Sequence, residues 1–210
     1  MLSILIADDH PVFRRGLKQI IAESPDMVVA GEAADGREAL RKAVTGDYDV
    51  LLLDITLPFI NGVDVLSRLQ NERPALPVLV LSMHPEEQYA VRALRAGASG
   101  YLTKESAPEE LLAAIRKVST GGKYVTASLA EHLACIVQSD GEALPHETLS
   151  NREYQVMCLI ASGKTVSEVA KELSLSVKTI TTYRARILEK LHLKNNAELM
   201  RYATMNELVE

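Results

Sequence analysis

The sequence predicts an α/β domain built on a doubly wound, five-stranded parallel sheet, followed by a small all-α domain. Three observations predict this. Up to about residue 120, short apolar runs alternate with segments that have helical spacing. The runs show little internal alternation, which is typical of strands buried on both faces of a sheet. Beyond residue 148 no run is typical of a strand, and polar residues followed by glutamate mark a series of helix starts.

Five apolar runs are predicted to form the strands: residues 4–7, 28–30, 50–53, 78–81 and 100–102. Amphipathic segments lie between them. Pro11 can open the first, because proline suits the first position of a helix. Gly97 and Gly121 stand where helices should end, since glycine readily adopts the left-handed conformation found there. Five such βα units imply right-handed crossovers and a parallel sheet.

The second half of the chain is predicted to begin with a short helix over residues 127–138 and a polar, acidic linker over residues 139–148 (SDGEALPHET). We place the first domain at residues 1–122, the linker with its short helix at 123–147, and the second domain at 148–210. Four helix starts follow, with the capping residues Ser150 with Glu153, Thr165 with Glu168, Ser176, and Asn195 or Asn196 with Glu198.

Four of the predicted strands end in chemically active side chains. In an open α/β sheet, ligands bind at the carboxyl ends of the strands, so we expect these groups to meet in one crevice. They are Asp8 and Asp9 after the first run, Asp54 after the third, Ser82 after the fourth, and Tyr101 with Lys104 at the fifth. Clustered carboxylates repel one another unless a cation joins them, and Mg²⁺ typically binds one or two carboxylates together with phosphate oxygens.

These residue types suit the transfer of a phosphoryl group to a carboxylate. Asp54 would be the nucleophile and form an aspartyl phosphate. Mg²⁺ and Lys104 would neutralise the equatorial oxygens during transfer, and the Ser82 hydroxyl would then hydrogen-bond the phosphoryl group. His10 follows the acid pair, but a site that binds a hard cation through oxygen has little use for imidazole. Each group taken singly is as well explained by a solvated surface, whereas their conjunction favours the functional interpretation.

The first domain resembles a response-regulator receiver domain over roughly residues 1–120. The resemblance rests on Asp8 and Asp9, the segment 54–62 (DITLPFING), Ser82 and Lys104. It implies a flavodoxin-like strand order of 2-1-3-4-5 and Asp54 as the phosphoacceptor. It also implies Asp9 and Asp54 as Mg²⁺ ligands, assisted by Asp8 and the carbonyl of Thr56.

Ser82 and Tyr101 match the switch pair of that family, a hydroxyl that moves to the phosphoryl group and an aromatic ring that follows it inward. Two positions depart from the family pattern. Glu105 follows Lys104 where many receivers have a cis proline, which affects the expected loop geometry and not the chemistry. Met83 is larger than the residue often found beside the switch hydroxyl. We hypothesise that it screens the phosphoryl group from water, and a Met83→Ala variant that loses phosphate no faster than the parent would contradict this.

In the second domain, a short helix over residues 165–173, a tight turn and a longer helix to about residue 191 are predicted to form a helix-turn-helix. The apolar stripe of the longer helix comprises Val177, Ile180, Ile187, Leu188 and Leu191, with the stem of Arg184 along it. The opposite side and its flanks carry the predicted DNA contacts, Lys178, Thr179, Thr181, Thr182, Ala185, Arg186 and Lys190. Threonine and alanine can contact base edges in a major groove, while lysine and arginine hold phosphates.

Residues 149–203 resemble the LuxR-type helix-turn-helix of the NarL/FixJ class. The matching motifs are residues 149–153, 161–164, 168–170, 176–180 and 187–191. The resemblance implies base-facing roles for Thr181, Thr182 and Ala185, and dimerisation through a last helix at about residues 196–205. Tyr183 stands where many members have histidine. The implied partners are a cognate histidine kinase or a small phosphodonor, a second copy of the phosphorylated chain, and a partly palindromic operator.

Composition and charge agree with a cytoplasmic DNA-binding protein. The net charge is −5, yet residues 178–194 hold five basic residues and one acid. The longest apolar stretches are too short to cross a bilayer, and no export signal stands at the N-terminus. The cysteines, Cys135 and Cys158, lack metal-ligand spacing and suit a reducing compartment. We expect Cys158 to lie in a core.

Two other functions stay open. Haloacid-dehalogenase-like phosphatases also place phosphate on an aspartate, but they need an acid two residues after it to protonate the leaving group, where this chain has Thr56. We therefore expect no enzymatic activity beyond Mg²⁺-assisted self-phosphorylation. The other function is that of a constitutive DNA-binding protein whose first domain serves only for dimerisation.

Overall fold

The chain forms two units in a computed structural model that describes residues 1–84, 86–138, 144–206 and 208–209. Internal contacts group residues 1–131 into the first unit and residues 132–210 into the second. Residues 139–143 of the predicted linker and the side chain of Cys135 lie outside the described part. The domain limits at residues 122 and 148 stay predictions.

The first unit contains the predicted parallel sheet. Its strands are β1 (Leu2–Ala7), β2 (Met27–Ala33), β3 (Val50–Asp54), β4 (Val78–Ser82) and β5 (Gly100–Thr103). They lie in the order β2-β1-β3-β4-β5, and every neighbouring pair is parallel, so the predicted fold class and strand order are confirmed.

Helices connect and follow the strands. They are α1 (Pro11–Ala22), α2 (Gly36–Thr45), α3 (Gly62–Glu72), α4 (Glu86–Arg95), α5 (Pro108–Ser119) and α6 (Ala127–Gln138). Pro11 occupies the first turn of α1, as predicted. Gly97 and Gly121 follow the ends of α4 and α5 with φ angles of 104° and 83°, a conformation that glycine adopts without steric cost.

Burial of the strands depends on their place in the sheet. All five residues of β3 and of β4 are buried, as the lack of alternation predicts. For β2 the prediction of burial on both faces is wrong, since Val28 is 41% exposed. The physical reason is position, because β2 is an edge strand paired with β1 alone, whereas the other edge strand, β5, is bridged at Gly100 by Tyr124.

The second unit is helical. It contains α7 (Asn151–Ala161), α8 (Val166–Glu172), α9 (Val177–Lys190) and α10 (Asn196–Met205). The predicted caps are confirmed: Ser150 with Glu153 and Thr165 with Glu168 form capping boxes, and Ser176 and Asn195 cap α9 and α10. Cys158 is 3% exposed and lies in the core of this unit, as expected.

A short 3-10 helix, Pro145–Thr148, precedes α7. The side chain of His146 is buried, and its Nδ1 lies 3.0 Å from the hydroxyl of Tyr202 on α10. Residues 145–147, which the sequence placed in the linker, are therefore folded onto the second unit. Within the described residues, no helix is both long enough and apolar enough to span a membrane.

Candidate functional site

Three carboxylates meet at the carboxyl end of the sheet, as the sequence predicts. Asp8 lies just beyond β1, and Asp54 is the last residue of β3. They are 2% and 3% exposed, whereas Asp9 is only partly buried. One ligand atom from each of these three residues and from His10 can be chosen so that all four lie within 4.8 Å of one another. Such a set of oxygens suits a hard divalent cation.

Lys104 lies between two of these acids. Its Nζ is 2.6 Å from Asp8 Oδ2 and 2.7 Å from Asp54 Oδ2, and its side chain is 3% exposed. The ring centroid of Phe13 on α1 lies 4.7 Å from the same nitrogen. The backbone N–H of Lys104 donates to the carbonyl of Ser82, which links the loop after β5 to the end of β4. The ammonium group is thus held from several sides.

The charges in this cluster shift one another's protonation equilibria. Burial raises the pKa of the Asp54 carboxyl above its usual range, because the low dielectric disfavours the anion; Lys104 opposes this effect and the charge of Asp8 adds to it. Burial disfavours the charged form of Lys104 too, but Asp54 and Asp8 outweigh burial and raise the Lys104 pKa. Lys104 therefore stays protonated, and any further positive charge nearby would favour the ionised form of Asp54.

The loop after β3 brings its backbone close to Asp54. The N–H of Thr56 donates to Asp54 Oδ1 at 3.0 Å. Gly62 begins α3, and a Cβ built there would lie 2.2 Å from the carbonyl oxygen of Asp54, so only glycine permits this approach. Asn61 caps α3 by accepting from the N–H of Asp64. The predicted role of the Thr56 carbonyl as a metal ligand stays a prediction.

Ser82 and Tyr101 are joined through His84, a residue that the sequence did not single out. Ser82 Oγ accepts a hydrogen bond from the His84 N–H at 3.0 Å. The Tyr101 hydroxyl donates to the His84 carbonyl at 2.9 Å, and Tyr101 is fully buried. The ring of His84 packs 4.7 Å from the ring of Tyr89 on α4. Only the position of His84, two residues after Ser82, could have marked it in the sequence.

Two further residues beside the cluster have defined surroundings. His10 is 63% exposed, and its Nδ1 lies 2.8 Å from Asp9 Oδ1 and 3.4 Å from Asp8 Oδ1. Sequence reasoning set His10 aside as a ligand, and the structure places it beside the acids. Met83 is 66% exposed, so the hypothesis that it screens the phosphoryl group stays untested.

Helix α9 presents most of the predicted DNA contacts to solvent. The exposed ones are Lys178, Thr181, Thr182, Ala185, Arg186 and Lys190. Thr179 is half-buried, and its hydroxyl lies 2.7 Å from that of Ser176 at the start of the helix. The opposite face packs inward as predicted, with Ile180 and Ile187 fully buried. Arg184 is partly buried and donates from Nε to Asn196 Oδ1 at 2.6 Å.

The structure departs from the sequence analysis at two positions of α9. Val177, predicted on the apolar stripe, is 51% exposed, because it stands at the first position of the helix, where the stripe reaches the surface. Lys190, predicted to hold phosphate, places Nζ 2.7 Å from Oε2 of Glu153, which is buried on α7. Lys190 therefore already serves an ion pair within the unit.

Arg152 on α7 has a positioning role that sequence reasoning missed. It is 9% exposed and donates from Nη1 to Gln155 Oε1 at 2.6 Å. Its Nη2 donates to the carbonyl of Leu173, the C-cap residue that follows α8. A buried guanidinium thus fixes the turn between α8 and α9. Its presence in the matched motif 149–153 was the available signal.

Comparisons with known proteins agree with both units. Residues 4–116 match the family model described as response regulator receiver domain, and residues 147–203 match that of bacterial regulatory proteins, luxR family. The response regulator UvrY of Escherichia coli strain K12 is 32% identical over 99% of this chain and 96% of its own length. The transcriptional regulatory protein LiaR of Bacillus subtilis strain 168 is 35% identical over 100% of both chains. Among solved structures, the chain is similar to RcsB from Salmonella enterica serovar Typhimurium, bound to promoter rprA in the presence of the phosphomimetic BeF3−. The two are 26% identical, with a TM-score of 0.66, and the match covers 97% of this chain and 98% of that chain.

Proposed function

Because the chain belongs to the NarL/FixJ family of response regulators, we propose that Asp54 accepts a phosphoryl group whose charge controls DNA binding by α9. The protein is a DNA-binding transcription regulator of a two-component system. The observation that carries the proposal is the Lys104 ammonium, which lies within 2.7 Å of carboxylate oxygens of both Asp8 and Asp54. A buried ion pair is often no more stabilising than apolar side chains of the same volume. Stability alone therefore does not explain these buried charges, whereas phosphoryl transfer does.

The phosphodonor is the phosphohistidine of a cognate kinase or a small acyl phosphate. An oxygen of Asp54 attacks phosphorus and forms a P–O bond. With phosphohistidine the P–N bond breaks, its electron pair leaves with the imidazole, and the imidazole takes up a proton; with acetyl phosphate a P–O bond breaks and acetate leaves. Lys104 stays protonated because its pKa is raised, and it offers charge to the transferred oxygens.

A divalent cation fits the same site. Asp8, Asp9 and Asp54 offer carboxylate oxygens to Mg²⁺, and their crowding favours a cation among them. When bound, Mg²⁺ supplies positive charge to the phosphoryl oxygens. Thr56 stands where a hydrolytic aspartyl-phosphate enzyme needs an acid, so Asp54 holds the group as a signal and turns over no external substrate.

The phosphoryl group acts through the Ser82 hydroxyl. We take the step that follows transfer to be a rotation of the Ser82 side chain that carries Oγ from the N–H of His84 to a phosphoryl oxygen on Asp54. That change reaches the His84 carbonyl and hence the Tyr101 hydroxyl, which bonds to it. The switch is a shift in the populations of two arrangements of the loop between β4 and α4.

The output is major-groove binding by α9. The exposed Lys178 and Arg186 would hold phosphates, while Thr181, Thr182 and Ala185 would face the base edges. A dimer formed by the phosphorylated chain through α10 would contact two half-sites of a partly palindromic operator, about ten base pairs apart or a multiple of that. These partners place the protein in the cytoplasm, where the kinase and the DNA are accessible.

The test is incubation of the full chain with acetyl phosphate and Mg²⁺, followed by intact mass and by gel shift on DNA selected from random sequence. The parent should gain one phosphoryl group and bind DNA more tightly, and Asp54→Ala should do neither. Asp47→Ala is the matched control, because the Asp47 side chain is fully exposed. It should behave as the parent does.

Each outcome separates the candidate functions. A parent that gains no phosphoryl group would refute Asp54 as acceptor. Equal DNA binding by the parent and Asp54→Ala, with and without donor, would leave the constitutive DNA-binding protein as the function. Steady release of phosphate from an added phosphate ester, lost in Asp54→Ala, would instead support the phosphatase.

A further inference from the structure

After α5, the chain pairs with the first residue of β5 before it enters α6. The N–H of Tyr124 donates to the carbonyl of Ser99 at 2.8 Å, and Tyr124 forms a parallel bridge with Gly100. A Cβ on Gly100 would lie 2.7 Å from the Tyr124 carbonyl oxygen, so this approach depends on glycine. The Tyr124 hydroxyl also donates to Glu110 Oε1 on α5 at 3.0 Å. The path into α6 is therefore fixed at the β5 edge of the sheet.

Thr126 joins the start of α6 to the start of α4. Its Oγ1 accepts from the N–H of Leu129 at 3.1 Å, which makes Thr126 the N-cap of α6. The same hydroxyl donates to Glu86 Oε2 at 2.5 Å. A threonine hydroxyl has one proton and two lone pairs, so it makes both bonds at once. Leu129 is 1% exposed, and this first turn of α6 belongs to the first unit.

Glu86 is the first residue of α4 and follows the switch loop directly. That loop contains the N–H of His84 that bonds to Ser82, and the His84 ring packs against Tyr89 within α4. In the proposed switch, rotation of Ser82 carries Oγ away from the N–H of His84. The proposed rearrangement of the loop includes the first turn of α4, so that Glu86 moves with it.

We propose that the hydrogen bond between Thr126 and Glu86 is a tether through which the state of Asp54 controls the N-cap of α6. In the unphosphorylated protein, Glu86 fixes the Thr126 hydroxyl in its capping position. Displacement of Glu86 frees that hydroxyl, weakens the cap and loosens the first turn of α6, the helix that leads toward the second unit. This inference rests on the proposed phosphorylation of Asp54.

The test follows amide hydrogen exchange at Leu129 and Ala130 in the full-length protein, with beryllofluoride and Mg²⁺ as the phosphoryl mimic. In the parent, the mimic should speed exchange by about 3- to 10-fold, the range expected for loss of an N-cap. Glu86→Ala should exchange at the faster rate without the mimic and change little when it is added. Thr126→Val should behave in the same way, and Thr126→Ser, which keeps the hydroxyl, should follow the parent.

Glu109→Ala is the matched control, because Glu109 is an exposed acid in the first turn of α5. It should respond as the parent does. Bound fluoride, measured by fluorine NMR, reports occupation of the site independently. If fluoride binds and DNA binding responds, but exchange at Leu129 is the same in the parent with and without the mimic, the tether is wrong and the proposed function stands. Parent-like exchange in Glu86→Ala without the mimic also overturns the tether. If no fluoride binds, both proposals fall.

Discussion

Replacement of Lys104 with methionine removes the ammonium group that two buried carboxylates share. Methionine keeps the length of the side chain and its contact with Phe13, so the main change is electrostatic. Asp8 and Asp54 are 2% and 3% exposed, and without Lys104 their charges face each other away from water. Loss of one partner from a buried ion pair costs about 3 to 5 kcal/mol. That is a large part of the roughly 5 to 15 kcal/mol that stabilises a typical domain.

The cost should depend on pH and on Mg²⁺ in a defined direction. Burial already raises the Asp54 pKa, and removal of the opposing Lys104 charge raises it further. An acid with a raised folded-state pKa binds protons on folding, so the variant regains stability as the pH falls through that raised pKa toward the usual 3.8. Millimolar Mg²⁺ should restore stability more in the variant than in the parent, since it replaces the missing positive charge.

The assay is urea unfolding in the presence of a chelator. Unfolding is monitored by hydrogen exchange in peptides from β3 and β4, so that only the first unit is measured. Lys123→Met is the matched control. Lys123 is exposed and donates only to the Ala98 carbonyl among the bonds that the structure describes for its side chain, so its loss should cost less than about 1 kcal/mol. A cost below about 1 kcal/mol for Lys104→Met without divalent cations would refute the electrostatic reasoning.

Four more predictions concern the two units. Lys190→Met should destabilise the second unit by about 1 to 2 kcal/mol in urea unfolding, a cost between those of exposed and buried ion pairs. It should have little effect on the salt dependence of DNA binding. Lys178→Ala should leave the stability of the second unit unchanged and reduce the slope of log affinity for DNA against log salt by about 1. Equal slopes for the Lys190 and Lys178 variants would contradict these roles. Burial of Glu153 works against ionisation, but its hydrogen bonds, chiefly from Lys190, hold its pKa below the usual 4.5. The contribution of Glu153 to stability is complete above pH 4.5 and is lost as the pH falls through the lower folded-state pKa. Glu153→Gln should therefore flatten the acid side of the curve of stability against pH, and an unchanged curve would exclude Glu153 as a source of that pH dependence. Tyr101→Phe should cost the first unit about 1 kcal/mol in the same unfolding assay through loss of its bond to the His84 carbonyl, and no cost would show that the bond is not formed in solution.

Local chemistry made much of this protein predictable from sequence. Strand ends, helix caps and helix-ending glycines depend on neighbouring residues, so the starts of α7 to α10 and the positions of Gly97 and Gly121 agree with the structure. Parallel topology then brings the strand ends together, which is why Asp8, Asp54 and Lys104 could be expected in one crevice before any distance was known.

Long-range pairing was decided by the tertiary structure alone. Glu153 and Lys190 are 37 positions apart, and Thr126 and Glu86 are 40 apart, and no local pattern tells which base or hydroxyl a given acid will bond. The exposure of Val28 likewise depends on a neighbour that β2 lacks on one side. The order of the elements, the acidic crevice around Asp54 and the resemblance to the family follow from local sequence patterns and parallel topology. The ion pair of Lys190 within its unit and the bond between the start of α6 and α4 do not follow from such patterns, because they join side chains that only folding brings together.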